Sequence, residues 1–160
     1  MSIRNILFYL LVVVIIFGGQ YFVNRNLVTG QPPEMARYTI SGQPVAEQIN
    51  NGPAIIYFWA DWCGICSVMQ ESVESILQDY PGITVAMQSG NADKVGQYLH
   101  REKLTWDTVT DEQGKIGSRY GIKGVPSVFF LGRDGKIKLS TVGYSSEIGL
   151  RIRLWIAGLL

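Results

Sequence analysis

Cys63 and Cys66, with two residues between them, are the only cysteines in the 160-residue chain. No third cysteine exists to form a structural disulfide or to complete a four-thiolate metal site. Such a pair can close a small ring disulfide and reopen it, which is how a dithiol carries two electrons. The run Ile55-Ile56-Tyr57-Phe58-Trp59-Ala60-Asp61 before the pair reads as a buried strand, and Ser67 to Tyr80 after it reads as a helix. Cys63 therefore belongs where a strand ends and a helix begins. A thiol there feels the positive end of the helix dipole and unpaired N–H groups, and both favour thiolate. Cys63, beside an exposed Trp62, is the expected nucleophile. Cys66, one turn deeper, is expected to resolve the mixed disulfide. The spacer Gly64-Ile65 supplies no cation or donor, which predicts a moderately acidic Cys63 and a reducing or balanced couple, not a strong oxidant.

The elements around this junction alternate. Tyr38-Thr39-Ile40 reads as a short strand and Pro44 to Asn50 as a helical turn. Ile83 to Met87 is a second buried strand, and Asn91 to Glu102 is a helix with Val95, Tyr98 and Leu99 inward. Thr105 to Val109 is extended, and Asp111 to Gly114 turns into a short helix ending at Tyr120-Gly121. Asp134-Gly135, between Val128–Leu131 and Lys136–Val142, signals a hairpin. Ser145-Ser146-Glu147 caps a last helix, expected to pack Ile148, Ile152, Trp155 and Ile156. This order predicts an α/β fold, a central mixed sheet with helices on both faces.

The amino terminus is of a different kind. Ile6 to Phe17 is uninterrupted apolar sequence, broken by Gly18-Gly19-Gln20 and resumed at Tyr21-Phe22-Val23. As a helix, Ile6 to Val23 would span about 27 Å, close to the ~30 Å bilayer core. A cleaved signal peptide is the competing reading, but Ile16-Phe17-Gly18 makes a poor cleavage site. Residues 1–23 are read as an uncleaved transmembrane signal anchor. Residues 24–37, polar and carrying Pro32-Pro33, read as a linker to a domain spanning 38–160. A net charge of +1 with interspersed signs gives no reason to expect nucleic acid as a partner.

Two further features bear on chemistry. Gly124-Val125-Pro126-Ser127 leads into the Val128 strand; Pro126 fits a strand start in trans, or in cis exposes the Val125 backbone to a substrate peptide beside Cys63. His100, the single histidine, lies mid-helix among polar neighbours, so zinc lacks its remaining ligands. Cu(I) accepts two thiolates and a thioether, and Met69 lies one turn beyond Cys66, so a copper-handling protein using Cys63, Cys66 and Met69 is the alternative reading. No metal site and no cofactor is otherwise expected.

Phe58 through Cys66, with Gly124-Val125-Pro126-Ser127 and Asp134-Gly135-Lys136, resembles the thioredoxin superfamily over residues 38 to 157. The apolar leader, the Tyr38–Ile40 segment and the long stretch between Cys66 and Pro126 look like its TlpA/ResA/DsbE branch of exported reductases. Val85 to Gly90 and Gly149 to Trp155 look closer still to the suppressor-of-copper-sensitivity D group. The resemblance implies a thioredoxin-like fold, a cis Pro126, and Trp62, Gly64, Ile65, Val125 and Pro126 as the substrate-facing surface. It also implies an inner-membrane anchor, a periplasmic domain, disulfide-bearing protein substrates and a membrane thiol electron donor. Two departures stand out. Tyr57 occupies the position of thioredoxin's buried acid, and Met69 and Glu71 stand where relatives carry Glu and Pro. The proton acceptor for Cys66 is thus not assignable: Asp61 reads as exposed, and Asp107 and Glu71 are weak candidates.

Overall fold

The structure is a computed structural model that describes residues 26–50 and 52–160. Its elements in chain order are α1 (Val45–Ile49), β1 (Ala54–Trp59), α2 (Gly64–Asp79), β2 (Gly82–Met87), α3 (Ala92–Glu102), β3 (Thr108–Asp111), α4 (Lys115–Arg119), β4 (Ser127–Leu131), β5 (Ile137–Val142) and α5 (Glu147–Leu159). The strands form one mixed sheet in the order β3-β2-β1-β4-β5. β1 lies at its centre, parallel to β2 and antiparallel to β4. A central strand covered on both faces must be apolar on both, and all six residues of β1 are buried.

Alternation along β1 divides the core. Ile55, Tyr57 and Trp59 face α2, α3 and α5, while Ala54, Ile56 and Phe58 face α1, α4 and the segment entering at Leu27. On the first face Trp59 stacks near Tyr98 and Trp106, with ring centroids 5.1 Å and 5.5 Å away. The Trp59 Nε1–H donates to Thr84 Oγ1 at 3.0 Å, and the Thr84 and Thr108 hydroxyls meet at 2.8 Å. Thr108 in turn donates to the Trp106 carbonyl at 3.2 Å, so one polar thread crosses β1, β2 and β3 inside the core.

Three details differ from the sequence expectation, and one expectation falls outside what the structure describes. The proposed anchor at residues 1–23 lies outside the described residues, among which no helix is long and apolar enough to cross a membrane. In the expected linker, Leu27 is buried, Val28 N–H donates to Tyr120 O, Gly30 bridges Ile137, and the Pro33 carbonyl accepts from the Tyr120 hydroxyl. Its described part is therefore docked on the domain. Tyr38–Ile40 is not a strand: Tyr38 makes one bridge to Pro44, and Ile40 N–H donates to the Thr108 carbonyl.

α5 also turns a different face inward from the one expected. It buries Leu150, Leu154 and Ala157, leaving Ile148, Ile152 and Trp155 exposed. The helix carries two apolar stripes, and the one holding Leu150, Leu154 and Ala157 turns inward. At its flank Arg151 bonds Asp79 (2.8 Å) and Glu147 (2.9 Å), and Ser75 donates to Glu147 (2.9 Å), linking α5 to α2.

Candidate active site

Cys63 and Cys66 are joined in a disulfide with their Cα atoms 5.2 Å apart. Cys63 is the N-cap of α2, in extended backbone at φ −93°, and its Sγ accepts from the Cys66 N–H at 3.2 Å. A sulfur held against a free helix N–H is a sulfur whose negative charge is stabilised. Both cysteines are largely buried, and the apolar surface around them is open: Trp62 is 62% exposed, Ile65 52% and Val68 68%. The Val125–Pro126 bond is cis, and the Val125 carbonyl lies 3.7 Å from Cys63 Sγ. Gly143 N–H donates to the Pro126 carbonyl at 2.8 Å, bringing the end of β5 and the exposed Tyr144 to the same rim. The structure thus gathers Trp62, Gly64, Ile65, Val125 and Pro126 around one disulfide.

Trp62 is held by a residue that motif reasoning passed over. Its Nε1–H donates to the Gln88 carbonyl at 3.2 Å, and Gln88 sits at φ +48°, an unusual conformation for a residue with a side chain. In the sequence Gln88 stood only within the Val85–Gly90 segment of the resemblance, with no role attached to it. Ser89 accepts the Asp61 N–H at 3.0 Å, tying the loop before the cysteines to the same turn.

The candidate proton groups resolve unevenly. Asp61, expected to be exposed, is largely covered: Oδ2 pairs with Lys94 Nζ at 3.0 Å, and Oδ1 is buried with no partner. Asp107 accepts from Ser41 at 2.8 Å. Tyr57 is fully buried in the same cluster as both cysteines, and its hydroxyl has no hydrogen-bond partner. Burial, reinforced by the nearby Tyr98, pushes the Tyr57 pKa upward, so the phenol stays protonated at neutral pH. Met69, the third sulfur of the copper alternative, is enclosed in the core.

A mixed sheet of this order, with a cysteine pair at the β1–α2 junction facing a cis-proline loop, defines a thioredoxin-like protein of the thiol–disulfide oxidoreductase class. The chain belongs to the AhpC/TSA family, whose pattern it matches over residues 29–140. It is 30% identical to a thioredoxin-like protein of Haemophilus influenzae, over 97% of this chain and 94% of that one. It is 27% identical to the thiol:disulfide interchange protein DsbE of Pseudomonas fluorescens, over 91% of this chain and 86% of the relative. The crystal structure of StoA from Bacillus subtilis superposes with a TM-score of 0.64 at 23% identity, covering 78% of this chain and 97% of StoA.

Proposed function

We propose that the protein is a membrane-anchored, periplasmic reductant of protein disulfides. The observation that carries this reading is the position of Cys63: its sulfur caps α2 and lies against both the Val125 carbonyl and an open apolar rim. In the reduced enzyme the Cys63 thiolate attacks one sulfur of a substrate disulfide. A mixed disulfide forms, and the other substrate sulfur leaves as thiolate and takes a proton from solvent. Cys66, deprotonated, then attacks Cys63 Sγ and expels the second substrate thiolate. The substrate gains two electrons and two protons, and the Cys63–Cys66 disulfide remains. A dithiol donor in the membrane must reduce it again. Extended substrate backbone is expected to lie along Val125 and Pro126, with Trp62, Gly64 and Ile65 as the opposite wall.

A reducing direction is supported by the spacer, which offers no cation to over-stabilise the thiolate. Anchoring and periplasmic placement are supported by the apolar run Ile6–Val23 and by the resemblance to exported reductases. The likeness to the copper-sensitivity group makes copper-stressed periplasmic proteins, whose thiols copper oxidises, a natural substrate class.

The test is a Cys66→Ser variant expressed in cells. It should accumulate disulfide-linked partners through Cys63 that dithiothreitol releases, while the purified wild type reduces insulin. If the variant traps nothing and the wild type instead binds Cu(I) tightly without reducing insulin, the oxidant-free copper reading replaces this one.

A further inference from the structure

The chain enters the described domain at its active-site end. Asn26 lines the same groove, about 460 Å³, as Trp62, Gly124 and Val125. Its path there is fixed by packing. Gly121, at φ +73°, has no Cβ, and any Cβ would collide with the Asn26 carbonyl. Leu27 is buried, and Val28 N–H donates to the Tyr120 carbonyl at 3.3 Å. In the sequence, the apolar run ends at Val23, three residues before Asn26. Three residues, even fully extended, reach about 10 Å.

Resting on the anchored reading above, the geometry points to a domain held with its disulfide face down on the bilayer surface, where it docks an integral membrane protein that presents a cysteine pair close to the lipid. A freely diffusing protein would meet the same face only through the narrow gap between domain and membrane. Two independent features fit this orientation. The exposed large residues of this rim are Trp62, Ile65, Val68 and Tyr144, a set whose aromatic members favour the membrane–water interface. Among the described residues, the groove lining carries Lys123 and no acidic side chain, so an anionic headgroup layer is not repelled.

The experiment uses the full-length chain reconstituted in phosphatidylcholine–phosphatidylglycerol vesicles. The substrates are two synthetic transmembrane helices, one carrying a disulfide three residues outside the lipid and one carrying it twenty residues out. The near disulfide should be reduced at least tenfold faster than the far one. Inserting a twenty-residue Gly/Ser segment between Val23 and Asn26, with an end-to-end distance of about 25 Å, should erase that preference and speed the reduction of insulin, which then reaches the face freely. Equal rates on the two helices, or a faster far disulfide, overturn the orientation. Flotation with the vesicles separates the two failures. A chain that floats but shows no preference overturns only this inference. A chain that does not float overturns the anchored reading and this one with it.

As a second arm, a fluorophore is attached to Gln113→Cys in the groove, or to Arg133→Cys in the hairpin loop at the other end of β4, in oxidised protein whose native cysteines are bonded. Headgroup-quencher lipids should dim the first several-fold more than the second; equal or reversed dimming overturns the orientation.

Discussion

α2 and α5 lie on the same face of the sheet, packed against each other, and begin with the same cap. Cys63 Sγ accepts from the Cys66 N–H at 3.2 Å; Ser146 Oγ accepts from the Gly149 N–H at 3.3 Å. The geometry is shared and the atom differs. At α5 the acceptor is a hydroxyl that never changes, so the cap contributes stability alone. At α2 the acceptor is one half of a disulfide, and reduction turns it into a thiolate that binds the helix N–H more strongly. The same backbone device is structural in one helix and electronic in the other.

The strongest way to break this contrast is Cys63→Ser. Serine keeps an acceptor at the cap, so the thermal midpoint should stay within a few degrees of reduced wild type. Insulin reduction should fall to background; residual turnover would mean that Cys63 is not the attacking group. Next comes a pair on α5. Leu154→Ala should cost about 2–5 kcal/mol in denaturant unfolding, whereas Trp155→Ala, on the exposed stripe, should stay within about 0.5 kcal/mol. Similar costs for the two would mean that α5 is rotated. Ser146→Ala should lose about 1 kcal/mol of stability and leave the reduction potential where it was, which is the signature of a purely structural cap.

The smallest effect is titration at the α2–α5 contact. The Arg151 hydrogen bond, then that of Ser75, holds the Glu147 carboxyl below its ordinary pKa. A depressed pKa means that this contribution is present above the unfolded-state pKa and lost as pH falls through the folded one. Thermal scans from pH 6 to pH 3 should show a slightly shallower acid decline for Glu147→Gln. An identical slope would show that the contact carries no measurable linkage.

The parts legible in the sequence were those fixed by local chemistry. β1 and β2 announced themselves as apolar runs because both of their faces are covered. The β4–β5 hairpin followed from Asp134-Gly135, with Gly135 at φ +70°. The cysteine pair was legible as redox-active from count and spacing. What escaped was set by tertiary choice. α5 offers two apolar stripes, and the structure buries the one with Leu150, Leu154 and Ala157 while Arg151 reaches Asp79 and Ser75 on α2. The Pro-rich segment looked like a spacer because its anchoring groups are backbone amides and the scattered Leu27, Val28 and Met35, which carry no periodic signal. Gln88 was invisible for a similar reason: its role lies in a carbonyl and a dihedral angle.

The thread from Trp59 through Thr84 and Thr108 to the Trp106 carbonyl limits how this core can be altered. Its hydrogen bonds point one way, each hydroxyl accepting from one neighbour and donating to the next. Exchanging Thr84 or Thr108 alone for valine would strand a polar atom where no water reaches it. Exchanging both would strand the Trp59 indole N–H and the Trp106 carbonyl at the two ends, one group more than Thr84→Val alone, which leaves the Thr108 bond to that carbonyl intact. A second exchange therefore does not repair the first, and the thread is kept intact only by keeping both threonines.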